Sequence, residues 1–192
     1  MITESVKQLI IKSRIVSFST WKGLHSEGVI SIFQKADDEG RYLTDDDLEE
    51  IKTLSPQTSS SVERAKLLRE NAALIVQQAR EQVLATYPNI TETDGELYPP
   101  ERAEACWRDF WHFLRCITFG IAGNSQEFTS SEGMANMRLL YQELRVPLGA
   151  MICGLENLKI SSLQFFNPNE QELIIPYFDH LINQLKQWTM DN

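Results

Sequence analysis

Cysteine, histidine and basic residues are all scarce in this chain of 192 residues, and no long apolar run occurs. Three cysteines, an odd number without a short metal-ligand pair, make neither a disulfide framework nor a zinc motif. Eighteen lysines and arginines against 27 aspartates and glutamates leave a formal charge of −9. That balance argues against nucleic acid as a main partner, because phosphate binding needs a basic face. The longest apolar stretches, such as Leu9–Ile11 and Leu173–Ile175, fall far short of the ~20 residues that cross a bilayer. The start, Met-Ile-Thr-Glu-Ser-Val-Lys, lacks the basic opening and apolar core of a secretory signal. A chain that stays in a reducing compartment and does not cross a membrane is expected. No Gly-rich phosphate loop, nucleophile–base pair or paired-carboxylate motif appears, and no repeat or low-complexity tract.

What the sequence does contain is helical periodicity. Thr3 is a cap candidate for a segment over 3–12, with Val6, Leu9 and Ile10 at helical spacing. The polar, glycine-bearing stretch 17–28 reads as a separator from the rest. A short helix is predicted over Val29–Ala36, stopping near Gly40. Thr44 and Asp47 resemble a capping box in which aspartate replaces the usual glutamate. The acidic run Asp45, Asp46, Asp47, Glu49, Glu50 then forms the first turns of a helix, where carboxylates suit the macrodipole. From Val62 to Tyr87, Ala65, Leu68, Ala72, Ile75, Ala79 and Val83 recur at three and four residues, which predicts one long helix ended by Pro88. After a loop over 89–100, helices are predicted at Glu101–Ile121, Glu132–Leu144, Leu148–Leu158 and Glu170–Trp188. The lengths are too irregular for a simple four-helix bundle.

The segment with chemistry in it is Ala105-Cys106-Trp107-Arg108-Asp109-Phe110-Trp111-His112-Phe113-Leu114-Arg115. At ~100° per residue, Cys106 and Asp109 share a helix face, and the stem of Arg108 can reach round to it. A thiol can form a thioether, a carboxylate one turn on can accept hydrogen bonds from pyrrole N–H groups, and a guanidinium can pair bidentately with a propionate. Aromatics around that face exclude water. Trp107 and Trp111, four apart, are equally well read as core or interface residues. Cys116 and Cys153 lack such neighbours and read as core. His112 falls on the opposite side of the helix from Cys106, and His25 and His180 have no ligand constellation near them, so no metal is expected.

Cys106-x-Arg108-Asp109, followed by Phe113-Leu114-Arg115 and Thr118-Phe119-Gly120-Ile121, resembles the pigment helix of the phycobiliprotein family, in its allophycocyanin α-type form. Ala36-Asp37-Asp38-Glu39-Gly40-Arg41-Tyr42-Leu43-Thr44 is similar to the family's Ala-Asp-x-Glu-x-Arg-Tyr-Leu-Ser. Met137-Arg138-Leu139-Leu140-Tyr141 through Pro147, and Pro176-Tyr177-Phe178-Asp179, resemble later family stretches in the same order. The resemblance implies an all-α, globin-like phycobiliprotein fold over 29–192. A helical hairpin over 29–60 would pair with an allophycocyanin β-type subunit, and residues 1–28 form an extra, partly helical segment. It implies phycocyanobilin, an open-chain tetrapyrrole, as a thioether on Cys106, with Asp109 on its inner nitrogens, Arg108 on a propionate, and Trp107 and Tyr141 at the pocket. Arg115 and Asp37 would be reciprocal bridges to the β-type subunit. It further implies ring or stack assembly, with a linker protein as a further partner, on the cytoplasmic side of the thylakoid membrane, peripherally attached.

Several residues depart from the family pattern. Phe110-Trp111-His112-Phe113 replaces the family's Leu-Asp-Tyr-Tyr, Asn124 replaces an aspartate, and Trp107 replaces a leucine. A more aromatic pocket suggests a specialised, red-shifted light-harvesting subunit without enzymatic activity. The rival readings are a pigment-free globin-like interaction or regulatory module, which has no need of Cys106-x-Arg108-Asp109, and a bilin-handling lyase, which binds pigment only transiently.

Overall fold

The computed structural model describes residues 3–190. Its helices are α1 (Glu4–Lys12), α2 (Glu27–Asp38), α3 (Asp45–Leu54), α4 (Ser59–Glu70), α5 (Ala72–Thr86), α6 (Pro100–Ala122), α7 (Ser131–Leu144), α8 (Leu148–Leu163) and α9 (Pro168–Met190), with 3-10 turns at Ser19–Gly23 and Pro56–Thr58. Among the described residues, extended pairing is confined to one isolated antiparallel bridge, Val16 with Thr129. No helix among the described residues is long and apolar enough to cross a membrane.

Local chemistry sets most of the boundaries. The Thr3 hydroxyl accepts from the Val6 amide. The capping box is complete: the Asp47 amide donates to Thr44 Oγ1 at 3.1 Å, and the Thr44 amide donates to the Asp47 carboxylate at 2.8 Å. Gly40, at φ +65°, takes the left-handed conformation that lets the chain turn after α2. Pro100 opens α6 at its first position, where its missing N–H costs nothing. Gly123 ends that helix, and Asn124 follows in the left-handed region at φ 49°.

The long helix predicted over Val62–Tyr87 is two helices. The break is at Asn71, whose side-chain amide donates to the Leu67 carbonyl and so competes with the backbone ladder. The apolar stripe runs through the break unbroken: Ala65, Leu68, Ala72, Ile75, Ala79 and Val83 are all buried. Helix α8 runs five residues further than predicted, and α9 takes in Pro168 and carries Pro176 inside it. The stretch 17–28 does not simply separate: Phe18 and Trp21 are buried in the main core, and α2 already starts at Glu27 behind a Ser26 cap.

Helix α6 is the axis of the molecule. It packs on α4, α5, α8 and α9, and every residue from Phe113 to Ala122 is buried. Around it, α5 lies on α8, α8 on α9, and α1 on α7. The approach of α6 to α8 is set by Gly154, where an added Cβ would lie 2.0 Å from the Phe110 ring. Gly154→Ala is therefore expected to destabilise the chain by about 2–3 kcal/mol through overpacking. Gly23→Ala, which meets nothing within 4 Å, should stay within about 0.5 kcal/mol. Urea unfolding of the two variants makes the comparison, and equal stabilities would mean that α6 and α8 are not interlocked.

Candidate functional site

Four of the residues singled out on α6 fall on its N-terminal half. Cys106 and Trp107 are buried, at 4% and 6% exposed, Asp109 is half-buried, and Arg108 is exposed. Their neighbour on α7 is Tyr141, also buried, whose hydroxyl donates to the Asp109 carboxylate at 2.7 Å. The Tyr141 ring is held in turn by Trp188 of α9, edge-on at 5.9 Å. Three helices thus fix one carboxylate–phenol pair.

The electrostatics follow from burial. Desolvation pushes the Asp109 carboxyl up to about 6, against the lowering effects of the Tyr141 hydrogen bond and of Arg108. Burial, and then the nearby Asp109 carboxylate, push the Cys106 thiol up to about 12, with Arg102 opposing. The same carboxylate helps burial to raise the Tyr141 phenol well above its ordinary value. Cys106, Asp109 and Tyr141 therefore act on one another in poorly solvated surroundings, where the carboxylate accepts the Tyr141 hydrogen bond and has room for more donors.

Three further residues shape this region, and the sequence reading did not single them out. Arg80 of α5 places its guanidinium 5.3 Å from the centre of the Trp107 indole, a cation–π contact. Arg102, one turn before Cys106, donates to the carbonyls of Glu96, Leu144 and Arg145, tying the start of α6 to the end of α7. Trp188 closes the back of Tyr141. The i,i+4 spacing of Arg102 and Cys106 was a usable signal. Arg80 and Trp188 come from remote segments and gave none.

Asp37 and Arg115, the residues expected at a second chain, meet each other within this one. Arg115 Nη2 donates to Asp37 Oδ1 at 3.2 Å within one chain, and both are buried. Arg14 binds the other oxygen of Asp37 and also Asp38. Arg115 Nε and Nη1 find no acceptor. Cys116 is wholly buried, whereas Cys153 lies half-buried on α8 against Thr86 and Asn157. His112 is half-buried, and desolvation first, then Arg115 and Arg108, lower its pKa. Of two surface clefts, one runs along α2 past Lys22, Gln34 and Asp38 and the other between α7 and α9 past Arg138 and Trp188; neither is lined by Cys106 or Asp109.

A thiol and a carboxylate one helical turn apart, the carboxylate met by a phenol that an indole backs, form a donor set suited to a covalently held polar chromophore on an all-α, globin-like chain. The chain belongs to the phycobilisome protein family, whose model, described as "Phycobilisome protein", matches residues 31–185. It is 31% identical over 157 residues to the allophycocyanin alpha-B chain of Cyanophora paradoxa, covering 82% of this chain and 97% of that one. It is 30% identical to the allophycocyanin subunit alpha-B of a Nostoc species, covering 82% and 98%. It is 29% identical to the allophycocyanin alpha-B chain of Porphyra purpurea, covering 80% and 96%. Within the family it is an allophycocyanin α-type phycobiliprotein, a light-harvesting subunit of the phycobilisome. Proteins of the allophycocyanin family carry covalently bound phycocyanobilin, are pigment proteins and not enzymes, assemble with other phycobiliprotein subunits, and associate peripherally with the thylakoid.

The raised Asp109 carboxyl carries a sign. Its folded value of about 6 lies above the ~3.9 of an unfolded aspartate, so the native chain binds the extra proton between about pH 4 and 6 and loses stability as pH rises through that window. Its half-burial moderates the effect to about 2 kcal/mol. In the pigment-free chain, Asp109→Asn is therefore expected to gain about 2 kcal/mol relative to the parent between pH 4 and pH 7.5. Urea titrations at the two pH values measure it, and a difference that does not change with pH would show a solvated carboxylate.

Proposed function

We propose that Cys106 holds phycocyanobilin through a thioether, that Asp109 accepts hydrogen bonds from its pyrrole N–H groups, and that Arg108 pairs with a propionate. The observation that carries this reading is the Tyr141–Asp109 hydrogen bond, 2.7 Å, beside a buried cysteine. A carboxylate kept this dry at the cost of a raised pKa is poised for a cationic, N–H-bearing group, whose arrival offsets the desolvation. When bound, the tetrapyrrole supplies the red absorption and the excited state handed to neighbouring pigments.

The chain's own residues do the rest. Tyr141 fixes the orientation of the Asp109 carboxylate, and Trp188 fixes Tyr141. Trp107, clamped under Arg80 and against Phe110 at 5.6 Å, is a rigid apolar wall that keeps water out. Rigidity here suppresses the internal motion through which excitation is lost as heat. With the thiol 4% exposed and held protonated by its raised pKa, the pocket opens before so large a group enters. The aromatic residues that replace the family's pattern, Trp107 foremost, supply a field for a red-shifted pigment.

In assembly, residues 29–192 are the phycobiliprotein domain, 29–60 its pairing hairpin, and 1–28 an extension; residues 1, 2, 191 and 192 lie outside the described region. The partner is an allophycocyanin β-type subunit, in rings or stacks with a linker protein, attached peripherally on the cytoplasmic side of the thylakoid. Asp37 and Arg115 serve that contact once their internal pair opens. The chain performs no catalysis and binds no nucleic acid.

Chain loaded with phycocyanobilin is expected to absorb in the red and to show zinc-enhanced fluorescence in a denaturing gel. Cys106→Ala should lose all covalent colour. Asp109→Asn should keep the thioether but lose more than half of its red absorption in the native state, with recovery of the parent spectrum after both are denatured in acid. Covalent colour persisting in Cys106→Ala, or a colourless native complex, sinks the proposal.

A further inference from the structure

The segment 13–24 precedes the family match, and the relatives are matched over 96–98% of their own lengths, which leaves them only a few unmatched residues. In this chain the segment is seated with unusual closeness. Trp21, wholly buried, meets Phe33 edge-on at 4.9 Å, and Phe18 lies 4.9 Å from Trp21, 5.7 Å from Phe33 and 6.3 Å from Phe119. Two glycines are its sockets: a Cβ on Gly123 would lie 2.3 Å from the Trp21 ring, and one on Gly133 would lie 1.7 Å from the Arg14 carbonyl. The backbone is stitched down by Ser17 N–H to the Phe128 carbonyl, 3.0 Å, and Ser130 N–H to the Ile15 carbonyl, 2.8 Å. The Arg14 guanidinium sits between Asp37 and Asp38.

Lifted away, the segment would uncover Phe33 and Phe119 with Asp37 and Asp38 at their edge. An apolar centre with a charged rim is the make-up of a protein-binding face. The seat is also incompletely satisfied. Arg115 Nε and Nη1 are buried without acceptors, so a guest that sets an acceptor beside its own guanidinium would satisfy what the segment leaves unmet.

We propose that residues 13–24 are an internal occupant of a subunit-binding face, which a sister phycobiliprotein subunit presenting a guanidinium between aromatic side chains takes when the segment lifts. Arg14, Phe18 and Trp21 imitate that guest. The proposal rests on the reading of the chain as an assembling phycobiliprotein, and it makes the extension a competitor of assembly.

The flanking hydrogen bonds make Val16 and Thr129 a non-hydrogen-bonded antiparallel pair, with Cα atoms about 4.5 Å apart, within reach of a disulfide. Full-length Val16→Cys/Thr129→Cys, loaded with phycocyanobilin, is mixed with an allophycocyanin β-type subunit and sized by light scattering, oxidised and reduced. The oxidised form is expected to stay monomeric and the reduced form to pair. Gly133→Ala, which improves a helical position while evicting the Arg14 carbonyl, should pair about tenfold more tightly than the parent. Equal pairing in both redox states, or none in either, overturns the proposal. Self-dimers of the reduced form would overturn the sister-subunit assignment in favour of a second copy. Colour is read in the same samples, so a failure of pigment attachment is seen separately from a failure of the strap.

Discussion

A carboxylate that water reaches poorly has to be matched by something, and in this chain the matching of Asp109 organises the site. Its partner comes from α7, the support of that partner from α9, and the thiol beside it from its own helix. None of these can be kept in register unless α6 is immobile. That is why the helix is enclosed by four others and why its second half is buried on every side. Arg102 closes the arrangement by satisfying the last carbonyls of α7, where the helix would otherwise end with unpaired acceptors.

The two ends of α6 treat buried charge in opposite ways. Near its start, Asp109 has a phenol and a distant arginine, and burial wins, so its proton is held more tightly. Near its end, Asp37 has two guanidiniums, one from α6 itself and one from the N-terminal segment. No guanidinium bonds the first carboxylate, which leaves it to the cationic pigment proposed above. The second is saturated, and its surplus lies on the guanidinium side, in the unpaired N–H groups of Arg115. One helix thus carries a place for a cationic ligand and, about two turns further on, a place suited to a protein surface.

How much of this was legible in the sequence depends on the range of the signal. Caps and turn residues act within four positions, so Thr3, Thr44–Asp47, Gly40 and Gly123 gave their elements directly. The buried stripe of α4 and α5 was also readable. The break inside it was not, because Asn71 interrupts the ladder without disturbing the three-and-four spacing of its neighbours. Cys106 and Asp109 share a face by simple rotation, but Tyr141 could be brought to them only through the family resemblance. Phe18 and Trp21 were hidden for the opposite reason. They are two aromatics in a stretch of serine, lysine and glycine, with no period to mark a buried face, and the Trp21 ring packs on Gly123, a hundred residues away.

The same close contacts decide where the site gives way to admit a large ligand. Phe110 is locked into Gly154 of α8, and Trp107 is pinned between Phe110 and Arg80 of α5. That side of α6 is a fixed floor, since moving it means separating interlocked helices. On the other side the contacts are of a different kind. Tyr141 meets Asp109 through one hydrogen bond and Trp188 through one ring edge, and Trp188 already borders an open cleft between α7 and α9. Trp188 has that cleft to move into, whereas moving the floor means separating interlocked helices. For the pigment proposed above, opening on the α7–α9 side would disturb less packing than moving the floor, and it would part the Asp109 carboxylate from Tyr141 as the ligand entered.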